Sequence, residues 1–179
     1  MLKYKIFLLV FLFLTKISYS VNNEMIITPT QKKCTGCALL NGEIKCIGGI
    51  IASTEYFEAQ QDCFIPIPGF ITINSKRHVK NIDDFSPEER TDFIEFLYKI
   101  RTTMREALTI ETIFMIQEES ASHFHVWLFP YHNWMQQFEH KISSIIPIMQ
   151  WAKQNLKTEE NIKDVLDYAQ RLQRACANT

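Results

Sequence analysis

Residues 122–132 read "SHFHVWLFPYH": two histidines two apart, His123 and His125, after which the same spacing delivers Trp127 and Phe129. In a β-strand alternate side chains share a face. His123, His125, Trp127 and Phe129 therefore point one way, and Phe124, Val126 and Leu128 point the other. The second set belongs on a helix-packed core. The first is aromatic and partly ionisable, so it faces solvent or lines a site. A lone strand histidine is most simply a satisfied polar residue. Two on one face, beside the polar link "EESAS" (118–122), shift the balance towards a site.

Working outward, "ETIFMIQ" (111–117) reads as the strand before this one. Upstream, Ser86-Pro87-Glu88-Glu89 supplies an N-cap serine, a proline at the first helical position and a glutamate three residues after the cap. Phe93, Phe96, Leu97, Ile100, Met104 and Leu108 then recur at three- and four-residue steps, predicting a helix to about residue 107. "IPIPGFITINS" (65–75) carries Pro66 and Pro68, which cannot sit in a central ladder, so its strand runs over Phe70–Asn74. "IGGIIASTEYFEAQQ" (47–61) reads as one or two strands around a turn at Ser53-Thr54, and "CALLNGE" (37–43) as a short helical segment stopped at Gly42. Residues 138–156 read as a helix perturbed at Pro147. A further helix over 159–175 puts Ile162, Val165, Leu166, Ala169 and Leu172 on one face. The expectation is an α+β domain over 34–135 followed by a helical C-terminal extension over 136–179.

The bulk properties set limits. A chain of 179 residues, 46% hydrophobic and 22% charged, suits one domain with a real core. The net charge is −1 with both signs interspersed, and no basic run favours a nucleic-acid partner. At the start, Lys3 and Lys5 precede an apolar run from Ile6 to Leu14, and Ser18 and Ser20 follow. That pattern predicts a secretory signal peptide over residues 1–20, cleaved after Ser20, and hence a secreted or periplasmic protein with no stable membrane insertion. Nine apolar residues fall well short of the roughly 20 that a spanning helix needs. Cleavage removes Lys3, Lys5 and Lys16 and no acid, taking the net charge from −1 to −4.

The five cysteines, Cys34, Cys37, Cys46, Cys63 and Cys176, are an odd number and a poor disulfide framework. Cys34 and Cys37 form a C-x-x-C with two readings. A redox pair would follow a strand at a helix start, and no strong strand precedes Cys34. A zinc half-site needs two more ligands to complete a tetrahedron. His78, after the Phe70–Asn74 strand, and His123, at the start of the later strand, supply a chemically complete set.

The successive landmarks "CTGCALLNGE", "QDCFIPIPGFITINSKRHVKNIDDFSPEE" and "SASHFHVWLFP" resemble the histidine triad superfamily of nucleotide hydrolases and transferases, over about residues 34 to 130. That resemblance implies an antiparallel sheet with a long helix. The family motif alternates three histidines with apolar residues, and here the third histidine is Trp127. By resemblance His125 is the nucleophile that attacks an α-phosphate and holds the nucleotide covalently. Cys34, Cys37, His78 and His123 match the ligands of the zinc-containing branch, making Zn2+ the expected cofactor. Asp62 falls where the family places a ribose-binding acid, and Ser120 matches a phosphate-contacting serine. Trp127 stands at a position that contacts phosphate in many members. The implied partner is a nucleotide or nucleotide conjugate, and a homodimer through the sheet edge is usual in the family.

Three departures weaken the expected phosphate pocket: Trp127 has a single N–H donor, Phe70 stands where many hydrolases carry another histidine, and Glu118 and Glu119 bring negative charge into a shortened turn. The leading expectation is nucleotidyl transfer to water through His125. The alternative is a non-catalytic zinc-stabilised module that binds a nucleotide or a protein. A weaker third is a thiol–disulfide protein using Cys34 and Cys37. His132 and His140 read as surface residues, Glu88, Glu89 and Glu95 as a solvated helix face, and Trp134 and Trp151 as packing residues.

Overall fold

The computed structural model of the chain describes residues 34–139 and 141–178. The signal-peptide reading, the lead-in at 21–33 and His140 lie outside the described residues. The sheet is built from β1 (Ile50–Ser53), β2 (Phe57–Gln61), β3 (Ile71–Ser75), β4 (Ile113–Gln117) and β5 (His125–Pro130), in the order β1-β2-β3-β5-β4 with every neighbouring pair antiparallel. The helices are α1 (Thr35–Leu40), α2 (Pro87–Leu108), α3 (Ile145–Asn155) and α4 (Glu159–Ala177). This is an α+β architecture with the long helix and C-terminal helices expected from the pattern. No helix among the described residues is long and apolar enough to cross a membrane.

Alternation along the strands gives the sheet two unlike faces. One carries Phe57, Ala59, Ile71, Ile73, Val126 and Leu128, which form the main core with Phe93, Phe96, Ile100, Met104 and Leu108 of α2. Helix α4 enters the same core through Ala169, Leu172 and Cys176. Gln173 of α4 also donates to the carbonyls of Gly48 and Ile50 at 2.9 and 2.8 Å. Gly48 (φ 85°) makes this approach possible, since a Cβ there would lie 2.7 Å from the Ala169 methyl carbon. On the opposite face Phe70 and Phe129 pack with Ile65, Ile67, Met135 and, from α3, Ile145, Ile148 and Ala152. Trp134, packed against this second cluster, stacks on Trp151 with ring centroids 4.9 Å apart, so both serve packing.

The start of α2 follows the capping box: the Ser86 side chain accepts from the Glu89 amide at 3.2 Å, and Glu89 accepts from the Ser86 amide at 2.7 Å. Glu89 nevertheless does not belong to a solvated face. It is 5% exposed, because its carboxylate is occupied by Arg77 Nε and Nη2 at 2.8 and 2.7 Å. The helix expected over 138–156 is shorter at its start: only Ile145–Asn155 is α-helical, preceded by 3-10 turns over Asn133–Gln137 and Ile142–Ser144. Pro147 falls in the first turn of α3, where an amide has no intrahelical acceptor to lose. Proline marks the beginning of that helix and does not perturb its middle.

Candidate functional site

Three separate segments bring four ligand-type side chains to one end of the sheet. Cys34 caps α1 and Cys37 lies in its first turn, His78 follows β3, and His123 precedes β5. Their ligand atoms all lie within 4.8 Å of one another. Cys34 Sγ is 3.4 Å and Cys37 Sγ 3.6 Å from His123 Nδ1, and Cys37 Sγ is 3.1 Å from His78 Nδ1. A tetrahedral zinc with bonds of about 2.3 Å to sulfur and about 2.0 Å to nitrogen separates such ligands by roughly 3.5 Å. Both the donor set and its spacing fit zinc.

The surroundings favour the metal-binding form of His123 and Cys34, whereas burial and the neighbouring Cys34 push the Cys37 thiol up. His123 is 4% exposed, and its Nε2 lies 2.7 Å from the Ser75 carbonyl. The Nε2 proton is thus directed to that carbonyl, and the Nδ1 lone pair faces the sulfurs, an arrangement usual for metal-binding histidines. Burial holds the His123 imidazole below its ordinary pKa, favouring the neutral form a metal needs. Burial works against ionising Cys34, but hydrogen bonds from the Cys37 amide, the Ser122 hydroxyl, the Cys37 side chain and the Gly36 amide pull its pKa below the usual value. Gly36 is required for space: a Cβ there would lie 2.4 Å from His123 Cγ. The Arg77–Glu89 pair ties the loop that carries His78 to the first turn of α2.

His125 begins β5 and is half-buried. Its Nδ1 lies 3.1 Å from the His123 carbonyl. A carbonyl can only accept, so Nδ1 carries the proton and Nε2 keeps a free lone pair. Trp127 is next on this face, its ring 5.4 Å from the His125 ring and 5.9 Å from Phe70. Cross-strand register sets out two rows: Glu58, Asn74 and His125, then Gln60, Thr72 and Trp127. The end of the face at Phe70 and Phe129 is covered by α3. His125 lies at the other end.

Asp62 follows β2 at the edge of this face. Its Oδ1 accepts from the amides of Phe64 and Ile65 at 2.9 and 2.7 Å, and its Oδ2 accepts from the Thr72 hydroxyl at 3.2 Å. Burial raises its pKa, and those three donors oppose the rise. Ser120 is exposed on the turn between β4 and β5. His132 is half-buried, not on the surface; its Nε2 bonds the Pro68 carbonyl at 2.8 Å, and burial lowers its pKa.

Two features escaped the sequence reading. One is a disulfide between Cys46 and Cys63. The signal for it was the hairpin: with Ile50 opposite Gln60, the chains a few residues further out meet at 46 and 63. The other is the polar character of the sheet face beside His125. Glu58, Gln60, Thr72 and Asn74 are each 9% exposed or less. Their alternation with core residues was there to be read along β2 and β3.

Solved structures share this fold. They include a zinc-bound histidine triad family protein from Mycobacterium smegmatis, at TM-score 0.57 and 18% identity over 82% of this chain and 94% of that one. A hypothetical histidine triad nucleotide-binding protein from Sulfolobus tokodaii strain 7 matches at TM-score 0.57 and 15% identity, over 81% and 93%. A HIT (histidine triad) family protein from Bacillus anthracis matches at TM-score 0.52 and 20% identity, over 76% and 94%. At these identities the likeness establishes the fold. No family sequence model matches the chain, and no curated protein matches it in sequence.

Proposed function

We propose that this histidine-triad-fold protein is a nucleotide hydrolase or nucleotidyl transferase that acts at an α-phosphate through a covalent intermediate on His125. The observation that carries the reading is the 3.1 Å contact between His125 Nδ1 and the His123 carbonyl. It leaves Nε2 as a neutral, oriented nucleophile, which is what covalent phosphoryl transfer requires of an imidazole. In the first step Nε2 bonds to the α-phosphorus, the bond to the leaving group breaks, and the leaving group takes up a proton from solvent. In the second, water attacks phosphorus and gives up a proton to solvent, the N–P bond breaks, and the imidazole is restored as the nucleotide departs.

Asp62, held by Phe64, Ile65 and Thr72, retains one acceptor site, on Oδ2, for a ribose hydroxyl, and Ser120 is assigned to the phosphate. Trp127 offers its single N–H donor from the third-histidine position. Cys34, Cys37, His78 and His123 are assigned to a zinc ion whose role is to cross-link three segments of the chain. Export is supported by the Cys46–Cys63 disulfide, a bond that persists in oxidising compartments. The zinc reading of Cys34 and Cys37 is favoured over the thiol–disulfide one because the two free thiols lie against His78 and His123 in a metal-type array.

The test is hydrolysis of an adenosine 5′-phosphoramidate. Turnover is expected from the unmutated protein and should vanish in His125→Ala with zinc content and melting temperature retained. An acid-labile adenylated protein should be trapped in the first turnover. Nucleotide binding with no turnover would select the non-catalytic module instead.

A further inference from the structure

Three buried side-chain polar atoms among the described residues have no hydrogen-bond partner: Asn74 Nδ2, Asn81 Oδ1 and Arg101 Nε. Asn81 caps a 3-10 turn, and Arg101 lines a groove along α2 whose lining does not include His125. Asn74 is different. It is 3% exposed, it sits in β3, and it pairs directly with His125 of β5. Directly opposed residues of an antiparallel pair hold their Cβ atoms about 4.5–5.5 Å apart on the same face. An acceptor that reaches Asn74 Nδ2 therefore lies within the working space of the His125 ring.

We propose that Asn74 is a substrate-contacting residue of this site, whose side-chain amide donates a hydrogen bond to a non-bridging oxygen of the phosphoryl group held at His125. The assignment rests on the nucleotidyl-transfer reading and adds a residue to it. A buried N–H without a partner carries the full penalty of its desolvation, and a ligand acceptor removes that penalty. Around a phosphorus bonded to Nε2, the strong acceptors are its non-bridging oxygens. The donor is neutral and sits on a strand in the middle of the sheet, so it is preorganised for charge that develops as the N–P bond forms. It also makes chemical sense of Trp127, because the sheet supplies a donor from β3 where β5 presents only an indole.

Glu58 completes the row on the far side of Asn74. Burial raises its carboxyl pKa, with Lys76 opposing the rise. Polar floor, unpartnered donor and nucleophile thus form one continuous strip across β2, β3 and β5.

The experiment compares Asn74→Leu, which matches the amide in size, and Asn74→Asp, which matches it in shape but replaces the donor with an acceptor. Adenosine 5′-phosphoramidate turnover and calorimetric binding of AMP are measured for each. Zinc content and melting temperature serve as folding controls. Removing one such donor is expected to lower kcat by roughly 100-fold, with a much smaller change in KM, and Asn74→Asp should fall at least as far. AMP affinity should drop in both variants. If a folded, zinc-loaded variant keeps turnover and AMP affinity within twofold of the unmutated protein, the Asn74 assignment is overturned while the His125 chemistry stands. If the unmutated protein binds AMP without turning over phosphoramidate, the covalent reading falls and Asn74 is judged on AMP affinity alone. Absence of both binding and turnover overturns both.

Discussion

His125 Nδ1 lies 3.1 Å from the backbone carbonyl of His123, so the side chain assigned to phosphate is oriented by the main chain of the residue assigned to zinc. His123 is itself fixed at both ring nitrogens, by the Ser75 carbonyl at Nε2 and by the two sulfurs at Nδ1. The metal-type array and the nucleophile are therefore one mechanical unit. Anything that shifts the backbone at His123 also turns the His125 ring and can exchange its tautomer.

Metal removal should accordingly cost stability first and activity as a consequence. Chelation, or Cys37→Ser, releases the α1 segment from the loops that carry His78 and His123. A closed structural zinc site contributes folding energy outright. A loss of about 3 kcal/mol in a chain of this size lowers the melting temperature by roughly 6–12 °C. Thermal unfolding with and without chelator, beside metal analysis expecting one zinc per chain, checks this. Unchanged melting after complete metal removal would refute a structural role.

Gly36→Ala should mimic that loss without touching a ligand. The added Cβ would lie 2.4 Å from His123 Cγ and 2.8 Å from its Cβ, so the imidazole must move out of its array. Zinc content should fall well below one per chain and turnover should fall with it. Stoichiometric zinc and normal melting in Gly36→Ala would show that the ring has room to yield.

The order of elements and the metal set were legible because each rested on a local signal. The Ser86–Glu89 cap marked the start of α2, Pro66 and Pro68 marked the approach to β3, alternation marked β5, and Cys34, Cys37, His78 and His123 were the chemically complete set. What stayed hidden depended on contacts between segments distant in the chain. The fate of Glu89 depends on Arg77, twelve residues away, and the Cys46–Cys63 bond depends on the β1–β2 register. The burial of His132 depends on Pro68, and that of Phe70 on α3 folding back across its face. Local periodicity carries none of these distances.

Reduction of the disulfide should destabilise the protein without displacing zinc. Cys46 and Cys63 close a loop of 17 residues around the β1–β2 hairpin, next to Asp62. Opening a loop of that length costs about 3 kcal/mol by chain entropy. Cys46→Ala with Cys63→Ala should melt several degrees lower while binding the same amount of zinc. Because Asp62 adjoins Cys63, the KM for a ribose-containing substrate should rise more than kcat falls. Equal melting temperatures would remove the loop-closure argument.

His132 should make stability fall with acid. Burial holds its folded pKa below the usual value near 6.5, so the neutral form is favoured in the fold. The stability this contributes is fully present above about pH 6.5 and is lost as the pH falls through the folded pKa. His123 shifts in the same direction, so the contribution of His132 is read from the difference between the unmutated protein and His132→Gln. The glutamine has no charge to gain, and its stability deficit should shrink between pH 7 and pH 5. A deficit constant over that range would show that His132 does not protonate on unfolding there.

Trp127→His rebuilds the missing third histidine and is the most direct test of how far the site has departed from the motif. The indole packs 5.9 Å from Phe70 and against the cluster under α3, so the smaller ring gives up apolar contact. Since Trp127 is only half-buried, the loss should be about 1–2 kcal/mol, a few degrees of melting temperature. In exchange the imidazole brings a second ring nitrogen and a titratable proton to the row that contains Thr72, beside His125. If Trp127 occupies a phosphate-contacting position, kcat on adenosine 5′-phosphoramidate should rise, by up to the roughly 100-fold that marks the weak end of a positioned acid–base group. A lower kcat in a folded, zinc-loaded Trp127→His protein would mean the opposite. The indole would then be the group this site has adopted for its substrate, and the third histidine would be no part of its chemistry.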